Sequence, residues 1–134
     1  MKFQPERNDR VNLIGRVECS PARSRVWVGA TEFGHSLIVP WSGAVQAWPP
    51  TRFETLEAAH FELLLALRPE LVIFGSGARL RFPAPALLRA LIERRIGVET
   101  MDTPAACRTY NVLATEGRNV LVALLLEPVG GVAG

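Results

Sequence analysis

Two short stretches of the chain gather residues able to do chemistry. The first is Gly75-Ser76-Gly77-Ala78-Arg79, and the second is Asp102-Thr103, followed closely by Cys107, Arg108, Tyr110 and Asn111. A glycine-rich turn lets the backbone approach a ligand closely, and a helix start offers unpaired N–H groups at the positive end of its dipole. With Arg79, Arg81 and Arg108 supplying charge, Gly75, Ser76, Gly77, Arg79, Asp102, Thr103, Arg108 and Asn111 form a candidate anion or small-molecule site.

Each feature also has a structural reading. Gly75-x-Gly77 is like the start of a dinucleotide fingerprint, but Leu80 stands at the third glycine position and the next helix begins too late to receive a pyrophosphate. A tight turn with positive φ explains Gly77 without a ligand. No lysine follows, which excludes a Walker loop. Cys107 sits early in a helix beside Arg108, and both features lower a thiol pKa, so it is a candidate reactive thiol. There is no CxxC, and His35 and His60 are remote in sequence, so a buried small side chain is the competing reading. Asp102 and Arg108 have two readings, a catalytic pair and, as the favoured one, a local ion pair within a network with Asn111 that holds a strand–helix junction. No spacing suits a metal, and neither a cofactor nor a catalytic residue is expected.

The elements that position these stretches follow from periodicity. Segments 13–19, 25–29, 36–40 and 44–48 read as an antiparallel meander closed by Pro49-Pro50. Thr51-x-x-Glu54, or Thr55, caps a helix over 56–67 with Leu56, Ala59, Leu63 and Leu67 inward, stopped by Pro69. Leu71 to Phe74, Val98 to Met101 and Asn119 to Leu126 read as buried parallel strands. Between them run a helix from Pro85 to about Arg95, with Leu87, Leu88, Leu91 and Ile92 inward and Gly97 beyond its end, and a helix capped by Thr103 that ends near Glu116. The expected architecture is a three-layer α/β domain with a mixed central sheet. Its C-terminal half is a parallel βαβαβ unit with both helices on one face, and its N-terminal half is the antiparallel meander. Residues 1–12 read as a flexible arm, 13–128 as one domain and 129–134 as a flexible tail.

Composition bounds the function classes. A chain of 134 residues that is 49% hydrophobic builds a core without staples. A net charge of +2 does not suggest nucleic-acid binding. Lys2 is the only lysine, which argues against Schiff-base chemistry. Two distant cysteines, Cys19 and Cys107, suit a reducing compartment. No signal peptide or transmembrane segment is read, so a cytoplasmic location is expected. Trp27, Trp41 and Trp48 lie in the meander, whose edge is a candidate surface for homodimerisation.

The segment Gly97-Val98-Glu99-Thr100-Met101-Asp102-Thr103-Pro104-Ala105-Ala106-Cys107-Arg108-Thr109-Tyr110-Asn111-Val112-Leu113, with Glu116-Gly117-Arg118 after it, carries a family signature. It resembles the single-domain family that includes mitochondrial NADH dehydrogenase (complex I) assembly factor 3 and an adipogenesis-associated protein. Leu71 to Gly77 matches the same pattern, and the resemblance extends over residues 10 to 127. Pro104 stands where a glycine is common. The resemblance implies a three-layer fold around a mixed sheet, no catalytic residue, and protein partners such as subunits of a membrane-associated complex. Three functions are expected, in order: a non-enzymatic interaction module of the assembly-factor kind; a small-molecule or anion-binding domain, or an enzyme, at the strand ends; and a thiol-based redox sensor at Cys107.

Overall fold

The computed structural model describes residues 11–20 and 22–128. The main sheet is mixed and five-stranded. Its parallel part comprises β6 (Leu71–Gly75), β7 (Gly97–Met101) and β8 (Val120–Leu124), with β6 in the middle. On the β8 side it continues antiparallel through β4 (Leu37–Val39) and β5 (Gln46–Ala47). A separate antiparallel sheet is formed by β1 (Ile14–Ser20), β2 (Arg23–Val28) and β3 (Thr31–Phe33). The mixed three-layer architecture is as expected. The expected single meander, however, divides between two sheets at Gly34-His35. Leu37, Ile38 and Val39 are buried on both sides, and only the main sheet covers both faces of a strand.

Among the described residues, three α-helices complete the fold: α1 (Ala58–Glu62), α2 (Arg89–Glu93) and α3 (Thr103–Thr115). The expectation that the two crossover helices share one face is wrong. The chain steps outward from β6 to β7, then back past β6 to β8. Two right-handed crossovers in opposite directions must use opposite faces. Alternate residues of β6 and β8 accordingly pack on different partners. Ile73, Val120, Val122 and Leu124 face Ala106, Cys107, Tyr110 and Ala114 of α3, together with Ile14 and Val26 of the small sheet. Val72, Phe74, Leu121 and Ala123 face Leu91 of α2, Phe61 of α1 and Trp48. Each face is thus a separate apolar cluster, and the sheet is sealed between them.

The α1 region departs from its sequence pattern. The segment 56–67 is not one helix but α1 followed by a 3-10 segment, Leu63–Leu67. Its cap is Glu57 and not Thr51 or Thr55. The His60 N–H donates to the Glu57 backbone O at 3.0 Å, and His60 Nδ1 accepts from the Glu57 N–H at 2.9 Å. Phe61 in α1 and Leu64 in the 3-10 segment face inward, and Leu63 is half exposed. Likewise, residues 85–93 form a 3-10 turn, Pro85–Leu88, and then α2, so that Leu91 is buried while Ile92 lies outside. Arg95, not Gly97, takes the left-handed position beyond α2. The arm read over 1–12 falls outside the described residues up to 10. Its last two positions are held: Val11 bridges to Ser42, and the Asn12 N–H donates to Trp41 O at 2.9 Å. The tail read over 129–134 also lies outside the described residues.

Candidate functional site

The two chemistry-bearing stretches do meet, at the C-terminal edge of β6 and β7. Gly75 ends β6 beneath α3, and the reason for glycine is close approach. A Cβ there would stand 2.8 Å from Leu124 Cδ2 and 3.1 Å from Thr103 Oγ1. Gly77 has φ of 105°, the turn geometry that its sequence context implied. Ser76 is buried between them. Its N–H donates to Met101 O at 2.8 Å, and its hydroxyl lies 2.8 Å from Arg79 O while accepting from the Arg81 N–H at 3.0 Å.

The start of α3 is closed by its own residues. Asp102, not Thr103, is the cap, and its Oδ1 accepts from the Ala105 N–H at 2.9 Å. Thr103 is the first helical residue and is fully buried. Its N–H donates to Gly77 O at 2.8 Å, while Oγ1 accepts from the Gly77 N–H at 2.9 Å and donates to Leu125 O at 3.3 Å. Pro104 has no N–H. The N–H groups of the first turn are therefore all engaged, and the cradle expected for an anion is filled by the protein itself.

The arginines are distributed differently from the expectation. Arg81 Nη2 donates to Ser76 O at 2.7 Å and to Glu127 Oε1 at 2.8 Å, and its guanidinium lies 4.8 Å over the Phe53 ring. Glu127 Oε2 accepts from the Phe53 N–H at 2.8 Å. Arg81 is thus a tie between the glycine loop and the end of the main sheet. Arg79 and Arg108 are exposed, and no side-chain hydrogen bond or ion pair among the described residues holds them. The expected Asp102–Arg108–Asn111 network does not form, because Asp102 caps α3 and Asn111 faces the small sheet. A cleft of about 110 Å³ does open at this edge, lined by Ser20, Ser24, Gly77, Ala78, Glu127 and Pro128. Its charged group is a carboxylate, the wrong sign for an anion.

Tyr110 and Asn111 have a different task. Asn111 Oδ1 accepts from the Ile14 N–H at 2.9 Å and its Nδ2 donates to Ile14 O at 2.8 Å, a two-point clamp across the sequence. The Tyr110 hydroxyl lies 2.7 Å from Asn12 O and 3.0 Å from Pro40 O, and burial raises its pKa. Trp41 Nε1 donates to Ala114 O at 3.0 Å. These contacts hang the small sheet and the incoming chain on α3. The sequence carries no sign of Asn12 or Glu127 as partners, since each acts on residues far away in the chain.

Cys107 does not fit a reactive thiol. It is 2% exposed, and burial drives its pKa up to about 12, with Cys19 adding to the rise and Arg108 opposing it more weakly. Helix position and a neighbouring arginine suggested the opposite shift, but desolvation wins. The thiol is protonated at neutral pH. Among the described residues, no group of three or more metal-ligating side chains converges.

Fold and edge together define a class: a small three-layer α/β domain whose strand-end junction is locked by internal hydrogen bonds. Residues 18–125 match the family described as "Protein of unknown function (DUF498/DUF598)", and the chain belongs to it. It is 37% identical over 133 residues to a Bos taurus protein named NADH dehydrogenase [ubiquinone] 1 alpha subcomplex assembly factor 3, covering 92% of this chain and 71% of that one. It is 36% identical to the Mus musculus protein of the same name, covering 78% of this chain but only 56% of the other. A crystal structure of a Bordetella parapertussis protein superposes with a TM-score of 0.80 at 34% identity, covering 88% of this chain and 98% of that one.

Proposed function

We propose that this domain is a non-enzymatic protein-interaction module that assists assembly of a membrane-associated respiratory complex from the cytoplasmic side. The observation that carries this reading is the likeness to relatives named as complex I assembly factor 3, over 92% of this chain for the Bos taurus protein. The site chemistry agrees with it. The polar groups that would serve a ligand or substrate at the strand ends are bonded to one another instead. Leu80 and Phe82, in the loop beyond, are 51% and 70% exposed, as suits contact with a partner. No helix among the described residues is long and apolar enough to cross a membrane, so a membrane-bound partner would be met at its surface.

The test is affinity purification of the tagged full chain from its own cells, read by quantitative mass spectrometry against an unrelated tagged domain. Enrichment of complex I subunits, reproduced from a tagged subunit in the reverse direction, is the expected result. A chain that recovers none of them in either direction sinks the reading. Weight would then move to the alternative, a small-molecule site in the cleft between Gly77, Ala78 and Glu127, to be sought by thermal-shift screening.

A further inference from the structure

The edges of the main sheet are unequal. At one end β5 is two residues long and runs into Trp48-Pro49-Pro50, which shields it. At the other end β7 is five residues long, contains no proline and, among the described residues, pairs with β6 only. Its outward groups can be assigned. The Ser76 N–H donates to Met101 O, so the polar groups of Met101 face β6. Backbone polar groups alternate sides along a strand, hence those of Glu99 and Gly97 face β6 as well, and those of Val98 and Thr100 face outward. Neither has a hydrogen-bond partner among the described residues.

Unpaired arginines flank this open edge at both ends. Arg94 and Arg95 precede β7 and are exposed. Arg79 stands at the other end, because its loop is bonded to Met101 and Thr103 through Ser76 and Gly77. None of the three forms an ion pair among the described residues. Glu99 is the one charge within the strand.

A second copy of the chain fits this edge poorly. In a two-fold antiparallel pairing, the register that engages Val98 and Thr100 of both copies within β7 sets Glu99 opposite Glu99. Like charges directly opposed across a pair are destabilising. From the open edge and its charge pattern we propose that β7 is a docking edge for an extended segment of another protein, added as a sixth strand and carrying acidic residues at its ends. This rests on the interaction-module reading and gives that module its contact surface. Main-chain bonds at Val98 and Thr100 supply affinity, and the arginines supply selectivity.

The experiment uses the isotope-labelled full chain and two synthetic peptides. Both have an eight-residue Val/Thr core; one has two acidic residues at each end and the other two lysines. The acidic peptide is expected to shift the Val98 and Thr100 amide resonances, slow their hydrogen exchange, and bind at least about tenfold more tightly than the lysine peptide. Thr100→Pro removes an outward N–H and leaves the ladder to β6 intact, a position where edge strands accept proline. It should keep the native spectrum and lose the peptide. Should it misfold, the double variant Arg94→Glu, Arg95→Glu leaves the backbone alone and should reverse the peptide preference. Equal binding of both peptides, or shifts confined to other residues, overturns the proposal. So does a dimer in sedimentation that Thr100→Pro dissociates, since the occupant would then be a second copy. Complex I subunits captured equally well by Thr100→Pro would leave the interaction-module reading standing and remove this one; amide protection by the acidic peptide without such capture would do the reverse.

Discussion

The two faces of the main sheet are covered by different means. On the α1–α2 face, cohesion is apolar. Trp48, Phe61 and Phe74 meet edge to face at 5.5–5.9 Å, and Trp48 Nε1 donates to His60 O at 3.0 Å. On the α3 face, packing is joined by a set of directional bonds from Asn111, Tyr110, Trp41 and Asn12. The contrast follows from what each face must hold. α1 and α2 adjoin β6 and β7 in the chain, so non-directional burial suffices to seat them. The small sheet meets α3 at a separation of nearly a hundred residues, and its orientation needs bonds that only one arrangement satisfies.

The largest effect should come from the apolar face. Phe74→Ala removes the shared ring of the aromatic group from a fully buried site. Large aromatic truncations in cores cost about 3–5 kcal/mol, and the loss should appear as a lower midpoint in chemical denaturation with a single cooperative transition. A cost below about 1 kcal/mol would show that this face is not held by burial.

Asn111→Ala tests the other face. It leaves the Ile14 N–H and C=O without their partner, and each unsatisfied buried group costs about 1–3 kcal/mol. The expected signature is local. Hydrogen exchange should accelerate across β1, β2 and β3 while β6 and β8 stay protected. Uniform acceleration over both sheets would mean that the small sheet is no separate unit.

Cys107 gives the smallest effect at neutral pH, where its thiol is protonated in folded and unfolded chains alike. Its pKa is raised from an ordinary 9.0 to about 12 in the folded state. The unfolded chain therefore releases its proton first, and stability falls as pH rises through that interval. Cys107→Ala should flatten the decline between these two values in denaturation curves taken along a pH series. In the native protein at pH 7, iodoacetamide should leave Cys107 unmodified, and labelling should require denaturant. Rapid native labelling would place the α3 face in an open state.

Much of the architecture was readable from local pattern. The apolar runs at Leu71 to Phe74 and Val120 to Leu126 declared strands buried on both faces, and Gly77 declared its turn. The Asp102-Thr103-Pro104 step marked where α3 begins, although it is Asp102 that caps it. What misled was the choice of face over 56–67. Ala59 and Leu63 do stand one α turn apart, but both lie outside, while Phe61 and Leu64 face the core. At the candidate site, too, local pattern carried only part of the answer. Residue types at Gly75–Gly77 and Asp102–Asn111 announce bonding capacity but not its use.

The sequence by itself determined the three parallel strands, the turn at Gly77, the start of α3 and membership in a signature-bearing family, because these depend on neighbours a few residues apart; β3 (Thr31–Phe33) had no such local sign. Only the tertiary structure decided that the two crossover helices take opposite faces, that the N-terminal strands split between two sheets, and that Thr103, Arg81 and Asn111 spend their hydrogen bonds inside the molecule. Those outcomes depend on which distant groups arrive at each donor and acceptor, and on how much water is excluded when they do. Burial overrode the helix position and the arginine beside Cys107 in the same way, since desolvation is a property of the assembled core and of no local segment.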